Sequence, residues 1–335
     1  MLKLNDDELM VCHGLDKQIQ RQIRDSNKSY TNGKKLNEFN PELIRVGKHG
    51  GLPFDSLVTD VVSGCLPNNM ACYGMCFAAL SAWDKNYDFG KRIDNVFDKK
   101  VLESDIENLP ETQGYIRCGW NSDPSWNWDV SAEIASIARE KELLTIFVTK
   151  SFTFMDKEIA NKLIDAKAEI RVSISAMDSN KELAKRLEFI KNYRDIGGIC
   201  IPIVLTTSYK SINLQERQEN IVKWVMDNDF PAAENSLRFP VDSQMVDLVE
   251  KSLLRPHDDG TDIWSGRIYP DKLLFPTTTS IPDSYSGIQS AFLSKLDIEG
   301  LQEFFVDPVN THEQVINSMK SLSKPKMCGV SINYS

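Results

Sequence analysis

The chain has 335 residues, of which 41% are hydrophobic and 26% charged, a composition typical of a globular protein with one large domain plus elaborations, or with two domains. Its 48 acidic residues outnumber its 39 basic residues, and the formal net charge of −9 disfavours broad attachment to nucleic acid or to an anionic membrane. No apolar stretch is long enough to cross a bilayer, and charged residues occupy the N-terminal positions where a signal peptide needs its apolar core, so we expect a cytoplasmic protein.

The order of the predicted elements indicates an α/β fold. Residues 1–55 are predicted to form a polar N-terminal extension with a helix around Glu8–Asp25. Across residues 56–255, short β-branched runs alternate with longer amphipathic segments, which is typical of βα units around a parallel sheet. The predicted strands are Leu57–Ser63, Tyr115–Gly119, Leu144–Thr149, Ile170–Ser175, Ile199–Thr206 and Ser236–Pro240. The predicted helices are Cys76–Asp84, Val130–Glu142, Asp156–Ala166, Lys181–Asp195, Leu214–Asn228 and Ser243–Leu254.

The remaining segment, residues 256–335, begins with a stretch rich in Pro, Gly, Ser and Asp and contains a helical pattern at Thr311–Ser321. We expect it to be a C-terminal extension that covers the mouth of the barrel. Six βα units are too few for a closed eight-stranded barrel, so the sequence predicts a partial one.

The cysteines are distributed unevenly. There are seven, an odd number that argues against a disulfide framework, and three of them, Cys65, Cys72 and Cys76, lie within twelve residues. Their segment, SGCLPNNMACYGMCFA, directly follows the first predicted strand and directly precedes the first predicted helix. A cubane iron–sulfur cluster held by three thiolates leaves one iron open to a substrate or cofactor.

Two other interpretations of these cysteines stay open. Structural zinc sites usually pair their cysteines at two to four residues and supply four ligands. Here the spacing is C-x6-C-x3-C, and His49 is the nearby imidazole. The alternative without a metal is three buried cysteines that behave as small hydrophobic side chains.

A cysteine triplet in the loop after the first strand of a βα barrel resembles the radical S-adenosylmethionine (SAM) superfamily, whose commonest spacing is C-x3-C-x2-C. The resemblance implies a (βα)6 partial TIM-type barrel over about residues 56–255 and a [4Fe–4S] cluster held by Cys65, Cys72 and Cys76. It also implies reductive cleavage of SAM to a 5′-deoxyadenosyl radical, with an electron from a flavodoxin- or ferredoxin-type donor. In the common motif an aromatic residue before the last cysteine meets the adenine; here Met75 holds that position, with Tyr73 and Phe77 nearby.

Further cofactor contacts are expected at the carboxyl ends of the strands, where parallel α/β barrels place their reactive residues. After the second strand the family has a glycine-rich motif that holds the SAM amino group, and the corresponding residues here are Gly119, Asn121, Ser122 and Asp123. Asp123 is the candidate acid. Its alternative is an ordinary turn and helix start, because Ser-Asp-Pro favours both.

The resemblance and the positions of side chains on the later strands suggest further contacts. Lys150 would pair with the SAM carboxylate, or be a solvated lysine. Ser173 and Ser175 share one strand face and would bind the ribose, or satisfy backbone groups. Val204 would pack on the adenine. Arg238, if on a central sixth strand, needs a carboxylate of the substrate, of SAM or of the protein.

Aromatic residues and the C-terminal tail supply the remaining candidates. Trp120, Trp126 and Trp128 follow the second strand and would line an apolar substrate pocket or simply pack. Cys328 and Tyr334 would reach the substrate as hydrogen-atom donors or ligands if the tail folds over the barrel mouth; the alternative is an ordinary exposed tail.

The substrate class is only partly indicated. A small metabolite or a peptide side chain is expected first, and a nucleotide or RNA base second, because the acidic balance disfavours a large nucleic-acid interface. The competing function is a non-catalytic iron–sulfur or zinc module that uses residues 63–78 to organise an interaction surface.

Overall fold

A computed structural model describes ten stretches of the chain, and every structural statement below concerns these residues. They are 46–48, 57–66, 93–108, 115–119, 122–230, 232–240, 245–256, 262–266, 268–269 and 272–273. The helices predicted around Glu8–Asp25, at Cys76–Asp84 and at Thr311–Ser321 lie outside them.

A sheet with its strands in chain order forms the centre of the fold. Strand β1 pairs antiparallel with β2, and from β2 to β7 each strand pairs parallel with the next. The strands are β1 (Gly47–Lys48), β2 (Leu57–Thr59), β3 (Tyr115–Cys118), β4 (Leu144–Thr149), β5 (Glu169–Ser175), β6 (Ile199–Thr206) and β7 (Ala233–Ser236). The described part of this sheet is a curled half-barrel with β1 and β7 at its edges.

Helices connect the parallel strands, as βα units require. They are α1 (Lys99–Glu107), α2 (Trp128–Glu140), α3 (Lys157–Asp165), α4 (Asn180–Asp195) and α5 (Ile212–Asp227). The short helix α6 (Met245–Leu248) follows the last parallel strand. The first five begin where a side chain accepts a hydrogen bond from a backbone N–H of the first turn. The capping residues are Asp98, Asn127, Asp156, Ser179 and Ser211. None of the helices in the described stretches is long and apolar enough to cross a membrane.

The predicted α/β class and parallel sheet are confirmed, with corrections toward the C-terminus. The strand predicted at Ser236–Pro240 is wrong, because the last parallel strand is β7 and ends at Ser236. Residues Arg238–Pro240 instead form β8 of a second, antiparallel sheet. That sheet continues through β10 (Asp262–Trp264) to β9 (Arg255–Pro256). Strand β7 reads AENS, which lacks the apolar run that reveals a buried strand in the sequence.

One helix prediction needs correction, and one observed helix was missed. The helix predicted over Ser243–Leu254 is reduced to α6 and a single 3₁₀ turn at Lys251–Leu253, because Val249 leaves the helix to form a bridge with Tyr209. Helix α1 was not predicted, although Asp98 provides its cap.

The two faces of the sheet differ in chemistry. On β5, Ile170, Val172 and Ile174 are fully buried in the main core together with apolar residues of the surrounding helices. Residues alternate between the faces of a strand, so Glu169, Arg171 and Ser173 lie on the opposite, concave face. On the neighbouring strands that face carries separate small apolar clusters, centred on Ile146 and on Ile201 with Ile203.

Some residues beyond the predicted boundary at residue 255 join the described core. Leu273 is fully buried in the main core. The carboxylate of Glu234 on β7 accepts hydrogen bonds from the backbone N–H groups of Ile268 and Tyr269. These contacts attach the described residues after β10 to the last parallel strand.

Gly119 shows how tightly the loop after β3 is packed. Its φ is +92°, and a Cβ there would lie 2.4 Å from the Val148 carbonyl oxygen and 2.8 Å from Cδ of Pro124. We expect Gly119→Ala to lower the free energy of unfolding by about 2 kcal/mol or more, measured by urea denaturation. Gly197→Ala is the matched control, because Gly197 has a φ of +96° with open space around its Cβ position. An equal loss in both variants would show that the backbone angle alone, and not the contact with Val148, requires glycine at residue 119.

Candidate functional site

Cys65 lies beyond the carboxyl end of β2, at the edge where all the parallel strands end. Its side chain is buried, with 7% of the residue exposed. Its sulfur accepts a hydrogen bond of 3.1 Å from Nε1 of Trp126. The Trp126 ring in turn stacks on Phe152, with 5.1 Å between ring centroids. Trp126 follows β3 and Phe152 follows β4, so contacts that run from Cys65 through Trp126 to Phe152 link the loops after three successive strands.

Seven of the predicted site residues lie outside the described residues. These are Cys72 and Cys76 for the metal, Tyr73, Phe77 and Asn121 for SAM, and Cys328 and Tyr334 for the substrate. Within the stretches that the structure describes, no three His, Cys, Asp or Glu side chains converge on one point. Convergence of the three cysteine sulfurs therefore stays a prediction.

Asp60 is an acidic residue at this edge that sequence reasoning missed. It directly follows β2, and its Oδ1 accepts hydrogen bonds from the backbone N–H and the hydroxyl of Ser122, at 3.1 and 3.2 Å. This contact joins the loop that leads to Cys65 with the loop that follows Gly119. Burial raises the pKa of the nearby Cys118 thiol well above its usual value, and the negative charge of Asp60 raises it further. The predicted strand Leu57–Ser63 contained Asp60, whereas the observed strand ends at Thr59; an acid is unfavourable inside a buried strand, and this was the signal that could have identified Asp60.

Asp123, the predicted SAM acid, is engaged by the protein itself. Its Oδ1 accepts hydrogen bonds from the backbone N–H and the hydroxyl of Ser125, at 2.9 and 2.6 Å, and from the Thr149 hydroxyl at 2.6 Å. Its Oδ2 accepts one from the Lys150 backbone N–H at 2.7 Å. Asp123 is buried and caps the 3₁₀ turn at Pro124–Asn127. The described contacts are therefore those of the ordinary helix-start alternative.

Lys150 reaches a buried group of charges at the end of β5. Its Nζ lies 3.7 Å from Oδ1 of Asp178, and its side chain is 14% exposed. Arg186 is closer to the same oxygen, at 2.6 Å from its Nη1, and is fully buried. The other carboxylate oxygen of Asp178 accepts the Ser175 backbone N–H at 2.9 Å. Asp178 and Arg186 were not predicted, although Asp178, like Asp60, is an acid that closely follows a strand.

The predicted ribose contacts have different surroundings. The Ser175 hydroxyl is fully buried and accepts the Met177 backbone N–H at 3.1 Å, which is the backbone-satisfying alternative. Ser173 is partly exposed on the concave face, and its hydroxyl makes no hydrogen bond to any described residue. Ser173 is therefore the hydroxyl that a ligand on the concave face would meet.

Two other predicted contacts do not line the concave face of the described sheet. Val204 is fully buried in the main core among helix residues, while its neighbours Ile203 and Leu205 belong to the cluster on the other face. Val204 therefore faces the core and not the concave face, where Ile203 and Leu205 lie instead, because a shift of one residue changes the strand face. Arg238 lies in β8 of the second sheet, so it is not the internal charge of a sixth barrel strand.

The concave face also contains a buried ion pair. Nε of Arg171 lies 2.5 Å from Oε1 of Glu169, and both side chains are at most 3% exposed. They occupy the amino-terminal half of β5, whereas Ser173 lies nearer its carboxyl end. The pair gives the concave face a charged region beneath the edge where the candidate site lies.

Comparison of the chain with models of known families, with curated proteins and with solved structures finds no match in any of the three. Three groups of the chain's own residues define the candidate site. These are the buried thiol of Cys65 with its N–H donor, the carboxylate of Asp60 after the same strand, and the Ser173 hydroxyl on the concave face.

Proposed function

We propose that this protein is a radical SAM enzyme, in which a [4Fe–4S] cluster held by Cys65, Cys72 and Cys76 cleaves SAM reductively. The observation that carries the proposal is the place of Cys65. It is the first of three cysteines within twelve residues, and it lies buried at the carboxyl edge of a parallel α/β half-barrel. The proposal includes a more specific fold for the chain, a (βα)6 partial TIM-type barrel.

The surroundings of Cys65 fit a cluster ligand. Cluster irons are bound by cysteine thiolates, and hydrogen bonds to the sulfurs are a regular feature of such sites. The sulfur of Cys65 already accepts such a bond from Trp126, and the same loop supplies two more thiols in the sequence. When bound, the cluster would deliver one electron to SAM and so generate the 5′-deoxyadenosyl radical.

The chain's own residues would bind and orient SAM around this centre. The free Ser173 hydroxyl would meet the ribose, and the apolar side chains of Ile203 and Leu205 would pack on the adenine. Asp60 is the acid for the amino group, because it lies at the start of the loop that leads from β2 to Cys65, whereas Asp123 caps a turn and accepts four hydrogen bonds from the protein's own loops. Lys150 would attract the SAM carboxylate, and Asp178 would hold the ammonium group of Lys150 in position.

The substrate that we propose is a small metabolite or a peptide side chain, and the electron donor a protein of the flavodoxin or ferredoxin type. The basis is the net charge of −9, which disfavours a large nucleic-acid footprint. A nucleotide or RNA base is the second substrate class.

Anaerobic purification followed by iron, sulfide and zinc analysis tests the proposal. We expect about four irons and four sulfides per chain, a spectral change on addition of SAM, and formation of 5′-deoxyadenosine when dithionite is added. One tightly bound zinc per chain and no deoxyadenosine would instead indicate the non-catalytic module. A chain that binds neither metal would leave the cysteines as ordinary side chains and refute both functions.

A further inference from the structure

The indole of Trp126 is fixed in place while it donates to the Cys65 sulfur. One face of its ring stacks on Phe152, at an angle of 19° between the ring planes. Its backbone N–H donates to the Asp123 carbonyl at 3.1 Å. Ser125, the preceding residue, accepts the Phe152 backbone N–H on its hydroxyl at 2.8 Å. The two stacked rings are thus held by the same group of buried hydrogen bonds.

This arrangement directs one N–H group at one sulfur. The Nε1–Sγ distance of 3.1 Å is short for a hydrogen bond to sulfur, and tryptophan has no other polar atom in its side chain. The burial of Cys65 keeps most water from the sulfur, which makes the donor more effective than it would be in solvent. Trp126 therefore directs the positive end of a fixed N–H dipole at the Cys65 sulfur, where it stabilises negative charge.

We propose that Trp126 is a positioning residue that raises the reduction potential of the cluster bound by Cys65. The inference rests on the proposed function and concerns the control of its one-electron step. An electron from the external donor takes the cluster from the 2+ to the 1+ state and makes the cluster with its thiolates more negative. An N–H directed at a ligand sulfur stabilises the more negative state, so the hydrogen bond favours reduction.

The test compares Trp126→Phe with the wild type and with Trp128→Phe. Phenylalanine keeps an aromatic ring against Phe152 and removes the N–H. Trp128 is a matched control, because it lies two residues away, stacks on Phe189 and donates its Nε1–H to the Thr153 carbonyl and not to a sulfur. Redox titration of the reconstituted proteins, followed by electron paramagnetic resonance, gives the midpoint potential of each.

We expect Trp126→Phe to retain about four irons per chain with a midpoint potential shifted to more negative values, and Trp128→Phe to match the wild type. Equal potentials in all three proteins would overturn the inference while leaving the proposed function intact. A wild-type chain that assembles no cluster would overturn the proposed function, and this inference with it.

A second measurement uses the wild type alone, in case Trp126→Phe does not fold. Wild-type protein labelled with ¹⁵N in its indole groups is reconstituted and reduced, and pulsed electron paramagnetic resonance detects nitrogen coupled to the cluster spin. We expect a coupling from one indole nitrogen. A reduced cluster with no indole coupling would contradict a hydrogen bond between Trp126 and a cluster sulfur.

Discussion

Alanine in place of Cys65 or Cys72 is expected to abolish 5′-deoxyadenosine formation and to reduce bound iron from about four per chain to a trace, while the protein stays folded. The reason is chemical: with one thiolate missing, a second iron loses its protein ligand and the cluster is no longer held. Iron and sulfide analysis, product chromatography and circular dichroism measure the three properties separately.

Cys200→Ala is the control for these variants. Cys200 is fully buried in the core on β6, and burial raises the pKa of its thiol well above the usual range, so it is a packing residue. Its replacement should cost about 1 kcal/mol of stability and leave iron content unchanged. Undiminished deoxyadenosine formation by Cys65→Ala or Cys72→Ala would end the radical SAM proposal.

Asp123→Ala is expected to lower the free energy of unfolding by about 3 to 5 kcal/mol. The replacement leaves four donors from three residues, Ser125, Thr149 and Lys150, without their acceptor in a buried position. Unpaired buried polar groups cost about 1 to 3 kcal/mol each, and partial rearrangement reduces their sum. Urea denaturation followed by circular dichroism gives the difference.

Asp129→Ala serves as the comparison, because Asp129 is exposed in the first turn of α2 and its loss should cost about 0.5 kcal/mol or less. The conservative variant Asp123→Asn keeps one carbonyl oxygen and should fall between the two. If Asp123→Ala were as stable as Asp129→Ala but had lost affinity for SAM, Asp123 would be a cofactor ligand and its structural role would be refuted.

Trp126 connects the expected results for the Cys65 and Asp123 variants. The hydroxyl of Ser125, the residue before Trp126, donates to the Asp123 carboxylate, so Asp123→Ala should also disturb the donor to Cys65, although the Trp126 backbone N–H keeps its bond to the backbone carbonyl of residue 123. We therefore expect the stability loss to be accompanied by a weaker cluster, whereas the Trp126→Phe change should affect the potential with less effect on stability.

Local signals in the sequence were enough to predict much of the sheet and its helices. The apolar run ICIPIVLT and the spacing of apolar residues in the α4 segment predicted β6 and α4 to within a residue, because these elements are long and their periodicity is strong. The placement of Cys65 after β2 could also be predicted, since it follows from strand order alone.

Contacts between segments that are far apart in the sequence determined the features that could not be predicted. Asp123 was recognised as a helix-start residue or a ligand, and only folding brought Thr149 and Lys150 to its oxygens. Strand β7 has no apolar run and is recognisable only by its pairing with β6. Periodicity says that Val204 and Leu205 face opposite ways, but not which of them faces the helices, because that depends on the curvature of the whole sheet. The hydrogen bond from Trp126 to Cys65 joins residues 61 positions apart. No local sequence pattern predicts a contact at that separation, because the two loops meet only through the fold, where parallel strands end at a common edge.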